Sequence, residues 1–145
     1  KASVDFTDTY VKASQVIIIK ADNTEIASAA DVEGKSIGVQ LGTTGDLYAS
    51  DVTDTVERYN KGFEAVQALS QGKIDAVIID DQVAKALAAD NADVKVLDEP
   101  FTEEEYAIAV KKGNTELVEQ INAALAELKE NGKLQEIVDK YITAD

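Results

Sequence analysis

The chain has 145 residues, with 28 acidic side chains against 14 basic ones and a formal charge of −14. A surface this acidic repels phosphate backbones and anionic lipid, which argues against nucleic-acid binding and a peripheral membrane grip. Neither Cys nor His occurs, which excludes disulfides, thiolate nucleophiles, Cys-ligated zinc and His-based triads.

Carboxylates, Lys and Tyr remain as acid–base groups, and the single Arg is Arg58. No cofactor or metal is implied. The 45% hydrophobic fraction belongs to a globular chain. Its longest β-branched run, Val16 to Ile19, fits a buried strand, and no apolar run approaches the ~18 residues of a membrane span. The length suits one compact domain or two small lobes. The chain begins at Lys1 rather than Met and shows no signal peptide, so a processed product or part of a longer protein is expected.

In chain order, the β-branched run Gln15 to Lys20 reads as a strand. Ala27 to Glu33 reads as a helical turn closed by Gly34. Ser36 to Gln40 is a strand that ends in Gly42-Thr43-Thr44-Gly45, and Asp46 to Ser50 is a short helix. Thr55 to Tyr59 is a strand, and Gly62 to Gln71 a helix with Phe63, Val66 and Leu69 at helical spacing. Ile74 to Ile79 is a strand, Asp81 to Ala89 a helix, Val94 to Leu97 a strand and Glu105 to Lys111 another. Alternating strands and helices imply βαβ units, hence an α/β fold with a mainly parallel sheet. The one proline, Pro100, marks a change of layer or lobe. Two amphipathic helices follow, Asn114 to Asn131 and a second beyond Gly132. Leu117, Val118, Ile121, Leu125 and Leu128 stripe the first; Leu134, Ile137, Val138, Tyr141 and Ile142 stripe the second. Such faces need a surface to cover.

Two segments carry chemistry. The turn Gly42 to Gly45 joins a strand end to a helix start, where unpaired N–H groups suit a carboxylate and Thr43 and Thr44 add hydroxyls. Asp80 falls just after a hydrophobic strand, at its carboxyl end, where open α/β sheets bind ligands. If the two strands run parallel in one sheet, turn and carboxylate share a rim and suit a zwitterion. The plainer alternative is that Thr44 only caps one helix and Asp80 or Asp81 the next. Glu33-Gly34-Lys35-Ser36 lacks the first glycine of a phosphate loop, and Asp90 to Asp93 lacks the Gly and Glu of a calcium loop.

In their order, these segments resemble the type II periplasmic amino-acid-binding proteins of ABC importers, the bacterial extracellular solute-binding proteins of family 3. The matching residues are Val4 to Tyr10, Leu41-Gly42-Thr43-Thr44-Gly45, Ile74 to Asp80, Glu99-Pro100-Phe101-Thr102, Tyr106 to Gly113 and Leu128 to Leu134. Thr9 and Gln82 stand where that family often has Pro. The resemblance implies a type II periplasmic-binding-protein lobe, mainly parallel sheet flanked by helices, over residues 9–102. Residues 103–145 would supply a crossover strand and a C-terminal helix pair that complete the other lobe. The ligand would be a polar amino acid: Thr43 and Thr44 with the Leu41 and Gly42 turn contact it, Gln40 lines the cleft and helps select its side chain, and Asp80 holds the α-ammonium.

The same resemblance implies no catalysis, a membrane permease as partner and an extracytoplasmic location, in the periplasm or lipid-anchored. The family's N-terminal lobe segment, with its aromatic clamp and carboxylate-binding Arg, has no counterpart here, and Arg58 lies in the wrong element to replace that Arg. Weak binding is therefore expected, together with self-association or a complementing N-terminal segment through the C-terminal helices. The alternatives are an enzyme on the same scaffold, such as a dehydratase, or a ligand-binding sensor module.

Overall fold

The chain, in a computed structural model that describes residues 3–141, runs β1 (Val4–Phe6), β2 (Val11–Lys20), a 3-10 turn (Ala29–Val32), β3 (Ile37–Gln40), α1 (Thr44–Val52), β4 (Val56–Tyr59), α2 (Gly62–Ser70), β5 (Ala76–Asp80), α3 (Asp81–Asp90), β6 (Val94–Val96), β7 (Thr102–Tyr106), β8 (Ala109–Lys111), α4 (Thr115–Glu130) and α5 (Lys133–Tyr141). Residues 14–103 form one compact unit; the described residues before and after them form another. Among the described residues no helix is long and apolar enough to cross a membrane.

The first unit holds the sheet order β4-β3-β5-β2-β6. β3 runs parallel to β4 and β5, while β2 lies antiparallel to both β5 and β6. Four of the five strands therefore point one way, as strand–helix alternation predicts, and β2 is the exception. The reason is connectivity. Helices α1, α2 and α3 link β3, β4, β5 and β6 in turn, and a helical crossover returns each strand in the same direction. Only a four-residue 3-10 turn lies between β2 and β3, so no crossover fixes the direction of β2.

β2 alternates its side chains between two cores. Val16 and Ile18 join Val77, Ile79, Val66, Leu69, Ala84 and Leu87 beneath α2 and α3. Ile17 and Ile19 join Ile37, Val39, Ala76, Ile78 and Ala49 beneath α1. Ile17, Ile18 and Ile19 are wholly buried, each contributing about 1.5–3 kcal/mol over exposure. With both faces covered, the strand reads as a continuous apolar run.

In the second unit, β1 pairs antiparallel with β8, Asp5 opposite Val110. A three-residue strand has too little periodicity to be read alone, and β1 was not among the predicted elements. The predicted strand Glu105 to Lys111 is two strands because its partner changes. β7 pairs with β2, Tyr10 N donating to Tyr106 O. At Ile108, Thr7 takes over: its N donates to Ile108 O and its hydroxyl accepts from Ile108 N at 3.0 Å. Asn114 caps α4, accepting from Leu117 N, and Gly132 at φ +76° separates α4 from α5. Of the two tail stripes, Leu125 is buried, whereas Leu117, Ile137 and Tyr141 are exposed. Ile142 lies outside the described residues.

Asp31 closes the 3-10 turn by accepting from the backbone N–H groups of Ala27 and Ser28 and from the Ser28 hydroxyl. The Ala27 bond foremost, then the Ser28 bonds, hold its carboxyl below the ordinary 3.8. A depressed folded-state pKa stabilises fully above the unfolded value, and the contribution drains away as pH falls through the folded one. Urea unfolding between pH 6 and pH 3 is therefore expected to show a smaller acid-induced loss of stability for Asp31→Asn than for the wild type.

Candidate functional site

The strand order puts the end of β3 at a topological switch. From β3 the chain goes out through α1 to β4 and returns through α2 to β5 on the other side of β3. Helix α1 contributes Ala49 to one core and helix α2 contributes Val66 and Leu69 to the other. The two crossovers thus lie on opposite faces, leaving a crevice outside the carboxyl ends of β3 and β5. Ile37 stands opposite Ala76 and Gly38 opposite Val77 in the parallel ladder. The same register carries the turn after Gln40 to the level of Asp80.

The predicted residues meet at this rim. Gln40 ends β3, half-buried, and its carbonyl accepts from both Thr43 N and the Thr43 hydroxyl, the latter at 2.8 Å. Leu41 is 57% exposed, while its N–H is held by Tyr59 O at 2.8 Å. Gly42 turns the chain at φ +75°, a left-handed conformation that glycine adopts without Cβ strain. The N-cap of α1 is Thr43, and Thr44 is the first helical residue, which corrects the reading of Thr44 as cap. Thr43 turns its hydroxyl back to Gln40, so no side chain caps α1. A helix start left in this state favours anions.

Asp80 ends β5 and caps α3, its Oδ1 accepting from Gln82 N at 3.0 Å. The capping reading is therefore correct for Asp80. Asp81 instead pairs with Lys85 along the helix at 3.1 Å.

Three residues of this neighbourhood escaped sequence reasoning. Asp46 is buried, and its carboxylate accepts from Gly42 N at 3.1 Å and from Arg58 Nε at 2.9 Å. Arg58 Nη2 continues to the Ser50 hydroxyl. The only Arg thus braces the turn from β4 instead of facing a ligand. The third is Gln15, buried in the middle of β2 directly opposite Asp80. Its sequence signal was one polar residue at the head of an apolar run. Gly45 explains the close approach: a Cβ there would stand 2.9 Å from Ile78 O and 3.0 Å from Gln15 Oε1. Only glycine lets the first turn of α1 settle on β5.

A groove of about 380 Å³ lies elsewhere, along α3, lined by Ser14, Val16, Asp81, Lys85, Leu97 and Asp98 among others. It contains none of the six predicted residues.

The family model described as bacterial extracellular solute-binding proteins, family 3, matches residues 1–144. The chain is 33% identical to the ABC transporter glutamine-binding protein GlnH of Bacillus subtilis, over all of this chain and 54% of that protein. It is 36% identical to the L-arginine-binding protein of Pseudomonas aeruginosa, over all of this chain and 61% of that one. Among solved structures, an ancestral arginine-binding protein bound to arginine is similar with a TM-score of 0.72 and 43% identity, covering 95% of this chain and 64% of that one. A mutant of ArgBP from T. maritima is similar with a TM-score of 0.74 and 38% identity, covering 97% and 62%. The chain therefore spans little more than half the length of the curated relatives it matches. Family and relatives are binding proteins, not enzymes.

Asp46 holds the turn that ends at Gly42, so Asp46→Ala is expected to speed amide hydrogen exchange at Gly42 roughly 10-fold, the loss of a charge-assisted bond. Exchange read by NMR at Gly42, with Leu69 as an internal core reference, checks this.

Proposed function

Because the chain belongs to the bacterial extracellular solute-binding proteins of family 3, we propose that residues 14–103 are the amino-acid-binding lobe of an ABC importer's solute-binding component. The ligand is a polar amino acid. Its α-ammonium sits at Asp80, its polar groups meet Thr43, Thr44 and the Leu41–Gly42 turn beside them, and Gln40 helps select its side chain. One observation carries this reading: the parallel register of β3 and β5 brings an uncapped helix start and a strand-end carboxylate to one rim. Opposite partial and full charges side by side suit a zwitterion. The relatives' ligands, glutamine and arginine by name, agree in class. The partners are then the amino acid and the importer's membrane permease, and the location is extracytoplasmic, in the periplasm or lipid-anchored at the surface. The enzyme and sensor readings have no comparable support.

Asp80→Asn tests the assignment cleanly, since Asn caps helices as well as Asp does. The expected result is at least ~10-fold weaker binding of glutamine or arginine by calorimetry. Binding equal to the wild type's would refute the role of Asp80.

In this reading the second unit, with α4 and α5, belongs to the other lobe, and its exposed Leu117, Ile137 and Tyr141 take cover from self-association or a complementing segment. Each such side chain left in water forgoes about 1.5–3 kcal/mol. Light scattering on the isolated chain is expected to give a mass above 15.5 kDa; a strict monomer refutes self-association.

A further inference from the structure

We infer that the side-chain amide of Gln15 is a further ligand contact of the rim site, accepting a hydrogen bond from the ammonium held by Asp80; this rests on the amino-acid reading above. Gln15 stands opposite Asp80 in the antiparallel ladder of β2 and β5. Residues so paired project from the same face of a sheet. Gln15 is only 3% exposed, and a polar side chain at that depth costs free energy unless its hydrogen bonds are made. Its amide nevertheless makes no hydrogen bond to the described residues. Among those residues, no fully enclosed side-chain nitrogen or oxygen lacks a partner. The Gln15 amide therefore keeps a narrow opening to solvent. Its Oε1 lies 3.0 Å from the Cβ position of Gly45, so it points to the first turn of α1, beside the rim.

The next residues on that face, Ile17 and Ile19, are wholly apolar and wholly buried. Packing alone asks for a third aliphatic side chain. An amide paired across the ladder with Asp80 and set against the first turn of α1 answers instead to the chemistry of a ligand. An ammonium carries three N–H donors, and one carboxylate does not direct all three. A neutral carbonyl beside it accepts a second donor without burying a second charge. The site so built takes a free α-ammonium and discriminates against amino acids acylated at nitrogen, whose lost charge and donors leave both acceptors unmatched.

The test is a titration of the ¹⁵N-labelled chain with L-glutamine and L-arginine, with N-acetyl-L-glutamine as the control ligand. The Gln15 side-chain signal is assigned by its disappearance in Gln15→Met, which keeps the side chain's length without its amide. The expected result is a shift of that signal with the free amino acids and none with the acetylated one. Gln15→Met should bind ~10-fold more weakly while its unliganded Gly42 and Gly45 amide signals keep their positions. Shifts at Gly42 and Gly45 without a shift of the Gln15 amide, or unchanged binding by Gln15→Met, overturn this inference and leave the amino-acid reading standing. No shift anywhere with either amino acid overturns that reading and this inference with it. Should Gln15→Met fail to fold, the side-chain signals that shift in the wild type still decide, since the other Gln side chains are assigned one by one.

Discussion

The contact on which the site depends is the one between Gly45 and the carbonyl of Ile78. At 2.9 Å from that oxygen there is no room for a Cβ, and real Cβ atoms do not approach backbone so closely. The absent side chain lets the first turn of α1 rest on β5. That in turn places the open N-terminus of α1 beside the end of the neighbouring strand, where Asp80 stands. Parallel pairing of β3 with β5 sets the level, and the glycine sets the depth. Neither alone brings the helix start and the carboxylate together.

The turn is held by charge as well as by fit. Asp46, in the first turn of α1, accepts from Gly42 N and from Arg58. A carboxylate in that turn is favoured by the helix dipole, and Arg58 pairs with it in a buried position, where an unpaired charge would be costly. Arg58 reaches across from β4, so the β3–β4 ladder also anchors the turn. The turn is thereby pre-organised by Asp46 and Arg58, and a pre-organised turn lowers the ordering cost of binding.

Much of this was legible in the chain. Gly42, Thr43, Thr44 and Asp80 announce themselves because a β-branched run stops at a glycine turn or a carboxylate, and those signals are local. The helix boundaries around Gly62 and Gly132 are legible for the same reason. Thr43 was missed as the cap because two adjacent threonines have equal propensity, and only the backbone geometry separates them. Asp46, Arg58 and Gln15 were not legible as one neighbourhood, since they come from three elements and meet only when β4, β3, β5 and β2 are laid side by side. The strand β1 was missed because its three residues are a strand only opposite Ala109 to Lys111.

The sequence by itself determined the class of this protein: strands joined by helices, no thiol or imidazole chemistry, an acidic surface, and an ordered set of turns that points to one family of binding proteins. These are properties of composition and of spacing along the chain, and they survive without coordinates. The tertiary structure alone decided the antiparallel insertion of β2, the commitment of the single Arg to Asp46, and the unbonded amide of Gln15 beside Asp80. Each of these depends on which residues face one another across strands, and strand register is set by packing between distant segments, which no local pattern encodes.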